Sequence, residues 1–302
     1  MKKICTIILE FNSPKMTLTA IASVQKAILP SGYQNQLVIV DNSPVPDGVL
    51  AKQLAGKKGI KLITTLQNTG FAKGNNLGIA YGLKRGCDYF LILNNDVLVD
   101  RLFLTNLLAV LDLGFDMAVP KIYFAKGHEY HQNQYQPQDL GKVIWYAGGE
   151  FDWDNVYSRH FGINQVDHGQ FNQLKQIEFA NCCCLLVKKT VFKKIGLFDE
   201  KYFLYWEDGD FSVRARQAGF RIAYQPLSKI WHKNSHSSGA GSKLHDYYLT
   251  RNRLIFGFKY ASLRTKFALL RESAGKLFTG RPGEKKGILD FIFHRFGKGA
   301  AL

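Results

Sequence analysis

The chain has 302 residues, 46% of them apolar, and a formal charge of +16 from 40 Lys and Arg against 24 Asp and Glu. This is the make-up of a globular protein with one large domain or two small ones, and the positive excess points to nucleic acid, nucleotide phosphates or an anionic membrane face. Five cysteines, with Cys182, Cys183 and Cys184 adjacent, exclude a disulfide framework and fit a reducing cytoplasm.

The opening MKKICTIILEFN is basic and then apolar, like a signal peptide. Its apolar run from Ile4 to Leu9 is short, however, and leads into Glu10 and Asn12 with no small-residue cleavage site, so it reads as a first buried strand. No stretch approaches the roughly 18 to 20 uncharged apolar residues of a membrane-spanning helix, and a soluble or peripheral protein is expected. Strands at 4–9, 36–41, 60–65 and 89–94 alternate with helical patterns at 16–28, 47–56 and 74–85. Continuous apolar strands separated by helices predict an α/β fold with a parallel sheet covered on both faces, in which ligands bind beyond the carboxyl ends of the strands. Those ends carry Glu10, Phe11 and Asn12, then Asp41, Asn42 and Ser43, then Asn94, Asn95 and Asp96.

Further on, the polar stretch 126–140 reads as a long loop, followed by IWYAGGEFDW at 144–153, an apolar strand CCCLLV at 182–187 and a helix from Lys189. From Arg251 to Leu302 there are 12 Lys or Arg against 3 Asp or Glu, with Leu254, Phe258, Leu263 and Phe267 at helical spacing. This is a basic amphipathic tail, and no internal repeat precedes it.

Several constellations carry chemistry. LILNNDV delivers Asn94, Asn95 and Asp96 to the rim of the sheet, where one carboxylate and two amides can hold a hard divalent cation and the sugar-phosphate side of a nucleotide. Asp96 is equally suited to capping the helix that starts near Leu102 or closing a turn. Gly70, Gly74, Gly78 and Gly82 recur every four residues, a spacing that suits close packing of a helix and matches neither a dinucleotide fingerprint nor a P-loop. FLYWEDGDFSVRARQAGF sets Glu207, Asp208 and Asp210 at the start of a helix. One cap needs one carboxylate, and Asp210 is read as the one that opens the helix; the excess beside Tyr205 and Trp206 suits binding a sugar ring on an aromatic platform and deprotonating its hydroxyl. His232 ends a short apolar strand, with His236 four residues on, a candidate ligand beside a candidate metal Asp. The three adjacent cysteines cannot close a tetrahedral site and are read as core.

Taken in order, EFN, VIVDNS, NTGFAKGNNLGI, LILNNDV, GGEFD, FLYWEDGDFSVRARQAGF, IWH and YYLTRNRLIF resemble the family 2 glycosyltransferases, and most of all their bacterial rhamnosyltransferase-like branch. The resemblance spans nearly the whole chain. It implies a GT-A fold: a mixed, mostly parallel central sheet flanked by helices, with a C-terminal helical tail. Residues 1–100 would form the nucleotide-sugar half, 101–240 the acceptor-binding and catalytic half of the same domain, and 241–302 the basic helical region. The implied reaction is inverting, metal-dependent transfer of a sugar, rhamnose among the candidates, from a dTDP- or UDP-sugar to a glycan or lipid-linked glycan, with Mg²⁺ or Mn²⁺.

By the same resemblance Phe11, Asp41 and Asn68 contact the base and ribose, and Asn75, Asn94 and Asn95 lie near the nucleotide. Asp96 and His232 hold the metal, Asp208 is the base with Glu207 beside it, and Gly149, Tyr205 and Trp206 face the acceptor. Two positions depart from the pattern: the metal motif has one acid, and Glu10 stands where Thr is common. The tail, with RPGEKKGILDFIFHRFGKG alternating charge and bulky apolar groups, suits an anionic membrane surface on the cytoplasmic side, packing on the domain, or a homodimer contact. A nucleic-acid partner is not expected, because the aromatics sit with acids and the basic excess is heaviest in the tail. The presence of both Asp96 and Asp208 argues against a non-catalytic sugar-nucleotide binder.

Overall fold

A computed structural model describes residues 1–233 and 242–299. Its first elements follow the predicted alternation: β1 (Lys2–Glu10), α1 (Pro14–Gln25), β2 (Tyr33–Asp41), α2 (Val49–Leu54), β3 (Ile60–Thr64), α3 (Gly70–Lys84) and β4 (Tyr89–Asn94). Next come β5 (Val97–Val99), α4 (Phe103–Asp112), β6 (Met117–Phe124), β7 (Ile144–Tyr146), β8 (Gly149–Asp152), β9 (Tyr157–His160) and β10 (Lys175–Ile177). The chain continues through β11 (Cys184–Lys188), α5 (Lys189–Ile195), α6 (Glu207–Gln217), β12 (Ile222–His232), α7 (Lys243–Tyr260), α8 (Leu263–Thr279) and α9 (Pro282–Ile292).

The central sheet runs β10-β12-β6-β11-β4-β1-β2-β3, with β5 added to β12 and β7 to β6, while β8 and β9 form a separate hairpin. Strands β3, β2, β1, β4, β6 and β12 point one way, and β11 is inserted antiparallel between β4 and β6. The sheet is therefore mixed and mostly parallel, as expected. Ile4, Ile7 and Ile8 of β1 and Phe90 and Leu91 of β4 are fully buried, which is why these strands read as unbroken apolar runs.

The four-residue glycine spacing is a packing device. A Cβ at Gly74, Gly78 or Gly82 would strike Leu9, Ile7 and Cys5 of β1 respectively. Four helical residues rise about 6 Å and two strand residues about 6.6 Å, so every fourth residue of α3 meets every second residue of β1. Gly70 has another task. It sits at φ +83° where α3 begins, four residues before the predicted start, and a Cβ there would lie 2.5 Å from the Phe203 carbonyl oxygen. That carbonyl accepts the Phe71 N–H at 2.6 Å, closing an otherwise unpaired helix terminus.

Two predicted assignments change. The strand expected from Cys182 begins at Cys184, with Cys182 and Cys183 in the preceding turn. Asp210, expected to open its helix, lies inside α6, which starts at Glu207 after Trp206. Its fully buried carboxylate accepts from Arg214 Nε (2.6 Å), Lys259 Nζ (2.6 Å) and Tyr260 OH (2.8 Å), tying α6 to α7.

Helix α7 also shapes the loop before α6. Phe203, Tyr205 and Trp206 hold φ of 61°, 67° and 73°, a left-handed region that bulky side chains avoid. Asn252, fully buried on α7, turns its amide nitrogen to the carbonyls of Tyr202 (2.6 Å), Leu204 (2.8 Å) and Tyr205 (2.9 Å), and Arg251 Nη2 adds bonds to Lys201 and Tyr202. Two N–H groups thus serve three acceptors. Replacing Asn252 with Ala strands these carbonyls away from water. It is expected to lower stability by about 3 kcal/mol, read as a reduced urea midpoint; a loss under about 1 kcal/mol would show that the loop keeps its shape unaided.

Candidate active site

The carboxyl ends of β1 and β4, the 203–208 loop and the end of β12 enclose a cleft of about 720 Å³. Phe11, Asn68, Asn94, Asn95, Asp96, Tyr205, Trp206, Glu207, Asp208 and His232 all line it. Asp41, Asn75 and Gly149 are not on its wall. The Asp41 carboxylate accepts the Ser43 N–H at 3.1 Å, and the adjacent Asn42 faces the cleft instead, bonding Thr69 and Asn68. Asn75 is buried within α3, donating to the Phe71 carbonyl, and its own oxygen has no partner. Gly149 serves packing: a Cβ there would lie 2.8 Å from the Arg159 carbonyl and 2.9 Å from the Phe179 ring.

Register sets the pair that could hold a cation. β5 pairs antiparallel with β12, matching Val97 with His232, so Asp96 stands beside the histidine with Oδ1 3.1 Å from Nε2. Asp96 does not cap α4, which starts at Phe103 without a side-chain cap; the turn before it is closed by Asp100, which accepts the Leu102 N–H at 2.8 Å. Both Asp96 and His232 are buried, and His232 Nδ1 lacks a partner. The His232 ring packs edge-on against Trp145, whose carbonyl lies 3.3 Å from His160 Nδ1. A carbonyl only accepts, so Nδ1 of His160 carries hydrogen. Burial pushes the pKa of that ring down to about 4 and keeps it neutral. Among the described residues no cluster of three or more His, Cys, Asp or Glu could hold a metal. One carboxylate and one imidazole still fit a cation whose remaining positions go to phosphate oxygens and water. His236 lies outside the described residues.

Glu10 has a clear role. Its buried carboxylate accepts from the Ser13 N–H, the Thr17 hydroxyl and Asn95 Nδ2, the last at 3.0 Å, which orients the Asn95 amide at the rim.

The neighbouring carboxyls of Glu207 and Asp208 differ in surroundings. Burial raises Asp208 from 3.8 to about 6, while N–H groups of Gly209 (2.8 Å) and Cys182 bond it and restrain the rise. Glu207 is almost fully buried and its Oε2 has no partner; burial, and then the charge of Asp208, push it well above the usual carboxylate range. Burial thus raises both carboxyls, Glu207 the more strongly, and the two titrate as a coupled pair. Cys182 and Cys183 are buried as predicted but also back the cleft, between Asn94, whose N–H bonds the Cys183 carbonyl, and Asp208.

Other wall residues were missed. Tyr157, Ser158 and His160 come from β9, Trp145 from β7, and His245, Leu249 and Arg253 from α7. Trp145 lies in the stretch IWYAGGEFDW and Leu249 and Arg253 lie in YYLTRNRLIF, both noted in the sequence without a role for these residues, whereas β9 and His245 carried no signal.

Comparisons with known proteins bear on the family and the fold. The Glycosyl transferase family 2 model matches residues 5–196. The chain is 24% identical over 223 residues to the low-salt glycan biosynthesis hexosyltransferase Agl10 of Haloferax volcanii, covering 73% of this chain and 66% of that protein. It is 22% identical over 229 residues to the dTDP-rhamnosyl transferase RfbF of Shigella flexneri, covering 72% and 69%. A shorter match, 40% over 62 residues and 20% of each chain, is to the N-acetylglucosaminyl-diphospho-decaprenol L-rhamnosyltransferase of Mycobacterium tuberculosis. The match thus spans just under two thirds of Agl10 and a fifth of the mycobacterial enzyme. Among solved structures, GalNAc-T7 with UDP, GalNAc and Mn²⁺ superposes with a TM-score of 0.68 at 16% identity, covering 96% of this chain and 54% of that one. S. aureus TarS gives 0.51 at 17%, covering 92% and 44%. These likenesses establish the GT-A fold, and with the family match over 5–196 they place this chain in glycosyltransferase family 2.

Proposed function

We propose that the protein is an inverting, metal-dependent glycosyltransferase that moves a sugar such as rhamnose from a dTDP- or UDP-sugar to a growing glycan, carried on a lipid and reached from the cytoplasmic face of the membrane. The observation that carries this reading is that one cleft holds both the Asp96–His232 pair and the adjacent buried carboxyls of Glu207 and Asp208. The names of the rhamnosyl and decaprenol-linked relatives support the sugar and the carrier.

In this reading Phe11, Asn68 and the Asn94–Asn95 rim receive the nucleotide, with Asn42 beside them. Asp96 and His232 would hold a divalent cation, which neutralises the charge developing on the diphosphate leaving group. Mg²⁺ prefers oxygen ligands, so the imidazole favours Mn²⁺. Tyr205 and Trp206 offer a face to the acceptor sugar. Asp208 accepts the proton of the acceptor hydroxyl as its oxygen bonds the anomeric carbon and the bond to the diphosphate breaks. A single displacement assisted by one base inverts that carbon. Glu207, whose burial disfavours ionisation, would orient the acceptor by a hydrogen bond.

Replacing Asp208 with Asn is expected to keep donor binding and lower transfer by about 10² fold or more. In the parent, kcat/KM should fall as pH drops through about 6, because the base must be ionised, and this acid limb should vanish from the residual activity of the variant. Stability gives an independent check. The folded pKa of Asp208 lies above its unfolded value of 3.8, so its ionisation opposes folding. Asp208→Asn should raise the melting temperature above pH 6, and the gain should disappear below 3.8. For the cation pair, Asp96→Ala should weaken Mn²⁺-dependent binding of a nucleoside diphosphate by about tenfold or more in calorimetry. Unchanged binding would remove Asp96 from that role.

A further inference from the structure

Helix α8 buries little. Its Leu263, Phe267, Leu270 and Phe278 are 74%, 70%, 47% and 83% exposed, and with Ala274 they recur at intervals that place them in one stripe along the 17-residue helix. Scattered apolar residues on a surface are ordinary; a stripe of about 25 Å ending in an exposed Phe is not. The last residue of α9 and the one after it, Ile292 and Phe293, are also exposed.

Charge is sorted around this stripe. Residues 263–299 hold nine Lys or Arg against three acids. Each acid is engaged within the fold: Glu272 with Arg253 and Lys276, Glu284 with Lys276 and the Arg281 N–H, and Asp290 with Tyr247. Arg264, Lys266 and Arg271 remain on the flanks of the stripe. The C-terminal end of α8 reaches the active cleft through the face opposite the stripe: Lys276, in the last turn, lines the cleft with Arg281 and Glu284.

We propose that the outer face of α8 docks on an anionic lipid bilayer. The stripe enters the boundary between headgroups and acyl chains, and Arg264, Lys266 and Arg271 meet the headgroups. The proposal rests on the lipid-linked-acceptor part of the function above and deepens it: docking holds the mouth of the cleft at the surface where such an acceptor would stand. A second copy of the chain fits this face poorly. An isologous contact would set these cations against their own equivalents, whereas anionic headgroups neutralise them.

Cosedimentation of the full chain with vesicles tests this. Binding to vesicles of equal phosphatidylglycerol and phosphatidylcholine should be about tenfold or more tighter than to phosphatidylcholine alone, and should weaken with salt. Phe267→Glu with Phe278→Glu, both at exposed positions, should reduce binding by about tenfold or more, with unchanged circular dichroism and unchanged transfer to a water-soluble acceptor. Arg264→Glu with Arg271→Glu should abolish the preference for anionic vesicles. Equal binding to both vesicle types, or undiminished binding by the Phe variant, overturns the proposal. So does a parent dimer in light scattering that the Phe variant splits, which would make the stripe a protein interface. Transfer to a soluble acceptor without vesicle binding sinks the docking and leaves the enzyme reading standing; vesicle binding without transfer to any acceptor does the reverse.

Discussion

The contact on which the active cleft depends is the Asn252 amide against the backbone of residues 202–206. Three bulky residues of that loop sit in left-handed conformations, each opposed by about 1 to 3 kcal/mol. Hydrogen bonds from Asn252 and Arg251 to four loop carbonyls and the stacking of Phe203 on Tyr248 offset this. The resulting shape has consequences at both ends. The Phe203 carbonyl is delivered to the start of α3, and Tyr205, Trp206 and the first turn of α6 are delivered to the cleft.

The second constraint is electrostatic. Three carboxyls within four positions of a basic chain experience three environments. Asp210 is drawn into ion pairs with Arg214 and Lys259, and these outweigh its burial and hold its carboxyl below the usual range. Asp208 receives N–H groups of Gly209 and Cys182, while Glu207 has only its own backbone N–H against its burial and its Oε2 is left without a partner. In the proposed reaction the difference favours Asp208 as the base, because ionisation is the more strongly opposed at Glu207. Asp210 acts at a distance, since fixing α6 to α7 fixes the direction in which Asp208 points.

Much of this was legible in the residues. Strands β1 to β4 stand within two or three residues of their predicted bounds, because strands buried on both faces must be continuously apolar. The polar residues at their ends lie at the rim of the sheet, and the glycine spacing of α3 marked close packing on β1. The start of α3 was not legible, because Gly70 in isolation reads as a breaker and only the distant Phe203 carbonyl makes it a helix start. The substitution at Glu10 gained its meaning only when Thr17 and Asn95 stood next to it. Asp41, Asn75 and Gly149 share motifs with residues of the cleft but turn to their own neighbours.

The amino-acid sequence by itself determined the α/β alternation, the rim residues and the identity of the acids and the histidine, because these depend on local periodicity and on residue type. Tertiary structure alone decided how deeply each acid is buried and what bonds it, which strand register brings Asp96 to His232, and that the segment read as a basic tail supplies through α7 both the clamp on the loop and part of the wall. The physical reason is range. Periodicity is written in neighbouring residues, whereas desolvation, ion pairing and the support of strained backbone depend on groups some fifty residues away in the chain, such as Lys259 on Asp210 and Asn252 on Tyr202.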